Sequence, residues 1–302
     1  MSTDRFMIAV VAGALGDDAR DAVRTARRAG FGGILFDAYA LGVSIPDLSL
    51  TGRREFRHML AAQDQQLVGL RVDIGAKGIS AGADADRVVA RVDRVMEAAA
   101  GLSCRLVCLD LGPLPRAPRK LETRRTITRD EAGVIIVPKP AQVSADDPGR
   151  GEEPIDPAAV AQVDAAMAEI GRRADRYGVA MALRSELASF SALERALKAA
   201  DCPWFGVDLD PVAILRDAWS MDEVFSRLGA TIKHVRARDA LVGADRRTQA
   251  ATVGRGSVNW GQLLSALHEG GYQGWMTVDP MELPDRVAAA AAAAEYLRGL
   301  RR

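Results

Sequence analysis

The chain alternates between short apolar runs and longer segments with apolar residues at three- and four-residue spacing. A short apolar run between turn signals is typical of a buried parallel strand, whereas the three-to-four spacing indicates an amphipathic helix. Residues 6–12 are predicted as the first strand and residues 83–100 as one of the helices. Repeated strand-helix units of this kind predict an α/β fold, a (β/α)8 TIM barrel that covers residues 1–302 as a single domain.

An open, doubly wound parallel sheet is the competing architecture, because it produces the same alternation. No Gly-x-Gly-x-x-Gly or P-loop pattern follows any predicted strand, so nucleotide binding at such a sheet is not indicated. The closed barrel is therefore the expected fold. Its other strands outside the central unit are predicted at residues 34–37, 67–74, 106–110, 179–184 and 275–279.

The most polar strand ends lie in the stretch 205–239, which is predicted to form a strand, one helix and a second strand. Side chains two apart on a strand point to the same face, and α/β barrels keep their chemistry at the carboxyl ends of the strands, here called the mouth. The first strand places Asp208 and Asp210 there, and the second places His234, Arg236 and Arg238.

The alternation pauses between residues 112 and 154, a stretch far longer than the ~2–6 residues of ordinary βα loops. Residues 126–128 and 134–137 are short β-prone runs on either side of an acidic, glycine-containing turn, and they predict a hairpin. Because this insertion follows the predicted fourth strand at residues 106–110, we expect it to lie over the mouth. It is either a lid or dimer arm, or a solvated surface excursion.

Composition limits the classes of partner. Lys plus Arg and Asp plus Glu both total 40, so no overall field favours nucleic acid or an anionic membrane surface. No charge-free apolar segment approaches the ~20 residues of a membrane span, and no signal-peptide pattern precedes the first strand, so a cytoplasmic protein is expected. Cys104, Cys108 and Cys202 do not form a disulfide framework and are expected to be buried free thiols.

Three segments of the second half carry a family resemblance. The sequence GRGSVNWGQLL at 254–264 resembles the C-terminal signature of the xylose-isomerase-like TIM barrels, which include sugar and sugar-phosphate isomerases and epimerases and the endonuclease IV branch. Residues 205–211 and 234–239 resemble the family's sixth and seventh strands. The resemblance implies the barrel fold, an isomerase or epimerase activity on a sugar-like substrate, and self-association into a homo-oligomer.

The resemblance also implies a divalent metal, held by Glu, Asp, His and Glu at the ends of strands five to eight. The corresponding residues here are Arg184, Asp210, Arg236 and Asp279. A guanidinium has no lone pair to donate, so neither arginine can be a ligand, and no cofactor is expected. The alternative is a residual metal site that uses Glu186 with Asp210 and Asp279.

A metal-free isomerase or epimerase would divide its roles among the mouth residues. Glu186 or Asp279 is the candidate base, and Arg184 or Arg236 is the candidate stabiliser of the developing oxyanion. The other mouth residues are candidates for substrate binding, namely Asp208, Asp210, His234, Arg238, Asp37 and Asp110.

The second hypothesis is a catalytically inactive barrel that binds a small anionic ligand or a protein partner, with the arginines and carboxylates forming a salt-bridged cluster. The enzyme hypothesis predicts that Arg184, Glu186 and Arg236 are reachable by solvent. The inactive barrel predicts a mouth closed by ion pairs or by the insertion. DNA repair of the endonuclease IV type requires a histidine-rich metal centre, and this chain has 3 histidines: His58, His234 and His268.

Overall fold

The computed structural model describes residues 6–79, 84–115, 128–129, 135–136, 156–184, 190–243 and 247–300. Eight parallel strands close into a barrel in which each strand pairs with its neighbours in sequence and β1 pairs with β8. This confirms the predicted TIM barrel. The barrel strands are β1 (Met7–Val11), β2 (Gly33–Asp37), β3 (Gln66–Val72), β4 (Leu106–Asp110), β5 (Ala180–Arg184), β6 (Phe205–Leu209), β7 (Ile232–Ala237) and β8 (Trp275–Val278).

Helices surround the barrel and connect consecutive strands. Within the described ranges they are α1 (Ala19–Arg28), α2 (Leu50–Ala61), α3 (Ala85–Gly101), α4 (Pro157–Tyr177), α5 (Phe190–Ala200), α6 (Pro211–Asp217), α7 (Met221–Leu228), α8 (Trp260–Glu269) and α9 (Arg286–Gly299), with short 3-10 helices at Ala12–Ala14, Ile45–Asp47 and Gly229–Thr231. The single helix predicted between β6 and β7 is wrong. The chain forms α6 and α7 there, because Ala218 takes a left-handed conformation after α6 and the Ser220 side chain then caps a new helix.

Several predicted boundaries move by a few residues. β3 is Gln66–Val72 rather than 67–74, and β8 ends at Val278, so that Asp279 comes just after the strand. α2 begins at Leu50 because the Ser49 hydroxyl caps it, accepting from Gly52 N at 3.1 Å. Such shifts are expected where capping side chains decide the ends of helices.

Two hairpins at the mouth were not predicted. One pairs Tyr39–Ala40 with Val43–Ser44, across a turn in which Leu41 and Gly42 both have positive φ, +57° and +71°. The other pairs Asp239–Val242 with Thr248–Ala251 directly after β7.

The predicted hairpin in the insertion has two described pieces. Thr128–Arg129 pairs antiparallel with Ile135–Ile136. Residues 116–127, 130–134 and 137–154 of the insertion lie outside the described residues, and so do its predicted roles as a lid or dimer arm.

The GRGSVNW motif is anchored by one buried carboxylate. Asp239 is 3% exposed, and its Oδ2 accepts from Gly254 N at 2.9 Å, Gly256 N at 3.2 Å and the Trp260 indole at 3.0 Å. Its Oδ1 accepts from Val258 N at 3.1 Å. A Cβ on Gly256 would lie 2.1 Å from Asp239 Oδ1, so only glycine fits there. The motif therefore builds the β7–α8 connection.

The barrel interior has an apolar side and a polar side. A small apolar cluster of Val11, Leu35, Cys108 and Ala182 fills the side formed by β1, β2, β4 and β5. The inward positions of β6, β7 and β8 are polar and buried. Within the part of the chain that the structure describes, no helix combines the length and apolar character needed to cross a bilayer.

Candidate functional site

Asp208 is the centre of a buried polar network on the β6–β8 side of the barrel. Its Oδ1 lies 2.6 Å from His234 Nδ1, and its Oδ2 accepts from Arg236 Nε at 2.7 Å. The other ring nitrogen of His234 lies 2.7 Å from Thr277 Oγ1. The side chains of Asp208, His234 and Arg236 are at most 4% exposed, so all three charged groups are removed from water.

These groups stay ionised because they neutralise one another. Burial raises the pKa of Asp208, but the charges of Arg236 and His234 outweigh burial and hold that pKa well below its usual range. Burial lowers the pKa of His234, but the neighbouring Cys108 and Asp208 outweigh it and raise the pKa to about 10. The raised pKa favours the imidazolium form of His234, in which both ring nitrogens donate.

Arg236 extends the network to the end of β8. Its Nη1 donates to Asp279 Oδ2 at 2.8 Å, and Arg71 Nη1 donates to the same oxygen at 3.1 Å. Burial raises the pKa of Asp279, but Arg236 and Arg71 lower it further than burial raises it. The Asp279 side chain is 6% exposed. It is thus a sealed carboxylate with little tendency to take up a proton.

A second set of ion pairs runs along the rim from β4 to β8. Arg184 Nη2 lies 3.2 Å from Asp110 Oδ2, and Arg184 Nη1 donates to Asp210 Oδ2 at 3.3 Å. Arg238 Nη1 donates to the same Asp210 oxygen at 2.7 Å, and its Nη2 donates to Glu282. Each arginine on this rim therefore joins two carboxylates.

Arg71 is a mouth residue that the sequence pattern did not identify. Its guanidinium makes a two-bond pair with Asp37, with Nη2 2.9 Å from Oδ2 and Nε bonded to Oδ1. The available signal was a lone charge in the apolar run LVGLRV, two residues from the inward-facing Gly69. A charge that interrupts a buried strand near its carboxyl end indicates a position at the mouth.

An open cleft of about 410 Å³ lies between the ends of β2 and β5. Two Asp–Arg pairs line it, and their carboxylates are the more exposed members: Asp37 and Asp110 expose 23% and 29% of their side chains, against 19% and 10% for Arg71 and Arg184. The remaining lining residues are Val72, Asp73, Ile74, Gly75, Ala76 and Gly112.

The described site candidates from the sequence are all at the mouth or directly below it, but they do not share one environment. Asp37, Asp110 and Arg184 line the cleft, whereas the other candidates belong to the ion-pair network, namely Asp208, Asp210, His234, Arg236, Arg238 and Asp279. The enzyme hypothesis predicts an Arg236 that solvent can reach, whereas only 4% of its side chain is exposed. Glu186 lies outside the described residues.

The residues at the implied metal position do not fit a divalent metal. Arg184 and Arg236 offer no lone pair, and the carboxylates of Asp210 and Asp279 are already bonded to guanidiniums. Among the described residues, one other group of potential ligands is close together, with the Cys108, Asp208 and His234 ligand atoms within 4.8 Å of one another. Asp208 and both nitrogens of His234 are engaged in the buried network, so this group does not present an open site either.

The fold and site define a class of protein: a closed parallel α/β barrel with charged side chains gathered at the carboxyl ends of its strands. The chain belongs to the xylose isomerase-like TIM barrel family, whose sequence model matches residues 23–300. No curated protein matches the chain closely enough to be assigned as a relative.

Solved structures of similar fold cover nearly the whole chain. A xylose isomerase domain protein from Planctomyces limnophilus has a TM-score of 0.71 at 17% identity, over 99% of this chain and 97% of its own. A xylose isomerase-like TIM barrel protein from Mycobacterium smegmatis in complex with magnesium has a TM-score of 0.69 at 16% identity, over 99% and 98% of the two chains. D-psicose 3-epimerase from Clostridium cellulolyticum H10 has a TM-score of 0.68 at 14% identity, over 97% and 99%. At such identities the likeness establishes the fold, and the activity has to be argued from the site.

Proposed function

We propose that this protein is an isomerase or epimerase of a small sugar or sugar-acid-like substrate that works without a divalent metal at the strand-end position. The observation that carries the proposal is the open cleft lined by two Asp–Arg pairs. This cleft lies directly beside the ion-pair network at the position where the family's metal would bind. Family membership and the similar fold of a D-psicose 3-epimerase support the reaction class.

The chemistry of the cleft suits such a reaction. Isomerisation and epimerisation of a sugar remove a proton from a carbon next to a carbonyl, which leaves an enediolate oxyanion. Guanidinium groups donate paired hydrogen bonds to such oxygens, and carboxylates accept from sugar hydroxyls or take the proton. Arg71 and Arg184 supply the donors, and Asp37 and Asp110 supply the acceptors.

The first test is the metal content of the purified protein after incubation with manganese, cobalt, zinc and magnesium and then desalting. We expect well below one metal per chain, and conversion of sugars that is insensitive to a chelator. Near-stoichiometric metal together with chelator-sensitive conversion would contradict the metal-independent reaction.

The assigned metal position has its own test. Replacing Arg184→Glu together with Arg236→His returns a carboxylate and an imidazole to two implied ligand positions beside Asp210 and Asp279, so this double variant should retain manganese or cobalt. The matched control places the same two changes at neighbouring arginines, Arg71→Glu with Arg238→His, and should retain none. If the first variant is folded by circular dichroism and still binds no metal, the residue correspondence is wrong.

A second candidate function is binding of a small anion without turnover. It is favoured by the burial and lowered pKa of Asp279, which make that residue a poor base. The charge of the cleft opposes it, because the described lining has three carboxylates, Asp37, Asp73 and Asp110, against two guanidiniums. Thermal-shift measurements with phosphate, simple carboxylates and neutral sugars separate the two functions, and stabilisation by the anions alone would favour the second.

A further inference from the structure

Resting on the proposed function, we infer that Asp110 transfers the proton and Arg184 stabilises the oxyanion, in place of the buried Asp279 and Arg236. The two carboxylates occupy corresponding places, each just beyond or at the end of a barrel strand with an arginine beside it. They differ in access, in the number of arginines that hold them and in the length of their ion pairs.

Access separates the two carboxylates. Asp110 exposes 29% of its side chain and lines the open cleft. Asp279 exposes 6%, and Arg236 beside it exposes 4%. A base has to come within about 2.6–3.2 Å of the proton that it removes, directly or through one water. Asp110 is part of the lining of the cleft, whereas Asp279 is not.

The hydrogen bonds on the two carboxylates also favour Asp110 as the base. Asp279 Oδ2 accepts from both Arg236 and Arg71, at 2.8 and 3.1 Å, and the lowered pKa of Asp279 weakens it further as a base. Asp110 Oδ1 accepts from Gly112 N at 2.9 Å, which fixes its orientation, and its Oδ2 contacts Arg184 at 3.2 Å. Asp110 is therefore oriented by the backbone, held by one arginine rather than two, and accessible from the cleft.

Arg184 is placed to exchange a carboxylate for a substrate oxygen. Its contacts with Asp110 and Asp210 are 3.2 and 3.3 Å long, whereas Arg236 holds its two carboxylates at 2.7 and 2.8 Å. Charge-assisted N–H···O bonds are usually about 2.7–2.9 Å, so the pairs of Arg184 are the looser ones. An oxyanion that develops beside Asp110 can therefore take over one of these contacts.

The opposite wall of the cleft holds the substrate. Both oxygens of Asp37 are bonded to the guanidinium of Arg71, whereas Asp110 has one backbone N–H bond and one 3.2 Å arginine contact, so Asp37 is less available than Asp110 as a proton acceptor. The exposed edge of this pair offers carboxylate acceptors and guanidinium donors to sugar hydroxyls. Asp37 and Arg71 are thus assigned to substrate positioning.

The reaction balances with these groups alone. The Asp110 carboxylate takes the proton from the carbon beside the carbonyl, the C–H electron pair forms the enediolate double bond, and the carbonyl oxygen becomes an oxyanion bonded to Arg184. Protonated Asp110 then returns the proton to the former carbonyl carbon. The hydroxyl on the deprotonated carbon loses its proton to the former carbonyl oxygen and becomes the new carbonyl. The product is the isomeric sugar.

The test is hydrogen exchange at carbon, monitored by NMR in D₂O with neutral ketoses, aldoses and sugar acids. The wild-type protein should introduce deuterium beside the carbonyl of at least one sugar. Asp110→Asn should reduce this rate by ~10²–10⁴-fold, the usual contribution of a general base, whereas Asp279→Asn should change it by less than about tenfold. Formate should restore part of the exchange in Asp110→Ala, which a purely structural role of Asp110 would not produce.

Two outcomes overturn the inference in distinguishable ways. If exchange persists in Asp110→Asn but is lost in Glu186→Gln or Asp279→Asn, the proton-transfer group is elsewhere and the proposed function stands. If the wild-type protein exchanges no sugar carbon, the proposed function fails, and the inference fails with it.

Discussion

The two sides of the barrel mouth contain the same chemical groups in opposite states. On the β6–β8 side, Asp208, Arg236 and Asp279 are sealed from solvent and joined at 2.7–2.8 Å. On the β2–β5 side, the Asp37–Arg71 and Asp110–Arg184 pairs border an open cleft and expose 10–29% of their side chains, against at most 6% on the sealed side. Carboxylate and guanidinium pairs are thus structural on one side and available for binding on the other.

The family resemblance implies metal ligands at the positions of Arg184 and Arg236, where this chain has arginines. Each guanidinium needs carboxylate partners nearby, and Arg236 finds them in Asp208 and Asp279, which makes the β6–β8 side a buried ion-pair network. Arg184 is at the boundary, where it contacts Asp210 of that network and Asp110 of the cleft. The β2–β4 part of the mouth, which supplies none of the implied ligands, is left open.

The largest effect on the free energy of unfolding is expected from Asp208→Asn on the sealed side. The change leaves the positive charges of His234 and Arg236 buried without their shared carboxylate, and breaking a buried pair in this way costs about 3–5 kcal/mol. Urea unfolding monitored by circular dichroism measures the loss. The control is Asp17→Asn at an exposed position, where a change within about 0.5 kcal/mol is expected. A loss at Asp208 no larger than that of the control would mean that the network does not stabilise the barrel.

A pH effect specific to the sealed side is expected from His234. Its pKa in the folded protein is raised to about 10, above the ~6.5 of an unfolded chain, so its proton stabilises the folded state. This contribution is complete below pH ~6.5 and is lost as the pH rises towards 10. The urea midpoint should therefore fall between about pH 6.5 and 9, and His234→Asn should reduce the slope. Parallel slopes in the two proteins would show that His234 is neutral when folded.

An intermediate effect is expected from Arg71→Gln, because Arg71 contacts both sides of the mouth. The change removes the pair with Asp37 and one of the two arginines on Asp279, at a cost of about 1–3 kcal/mol for partly exposed charged hydrogen bonds. It should also weaken sugar binding, measured by calorimetry, by at least about tenfold. Arg57→Gln, on an exposed face of α2, is the matched control and should do neither. Unchanged sugar affinity in Arg71→Gln would exclude that wall of the cleft from the binding site.

The fold could be predicted from the sequence because it depends on local patterns. Alternating apolar runs and amphipathic segments fix a parallel α/β barrel, and the two-residue periodicity placed Asp208, His234 and Arg236 on the inward face. The second helix between β6 and β7 was missed because a seven-residue helix, a left-handed Ala218 and a new cap look like one continuous segment in a periodicity analysis.

The division of the mouth could not be predicted from the sequence, because it depends on which strands lie next to each other and on how far each side chain reaches. Arg71 and Asp279 are 208 residues apart, and they meet only because the barrel brings the ends of β3 and β8 to one mouth. Exposure has the same origin: Asp110 and Asp279 look alike at their strand ends, and packing makes one accessible and the other buried.

The smallest effect on the free energy of unfolding is expected from Asp110→Asn, and this result distinguishes the two sides of the mouth most clearly. Asp110 is partly exposed, its ion pair with Arg184 is 3.2 Å long, and Arg184 keeps Asp210 after the change. A partly exposed pair of this kind contributes about 0–1 kcal/mol, so the urea midpoint should stay close to that of the wild-type protein. The same chemical change then separates the two sides: it should cost several kcal/mol at Asp208 and almost nothing at Asp110. A loss at Asp110 as large as that at Asp208 would mean that the cleft side is a structural network too, and that its carboxylates are not free to act on a substrate.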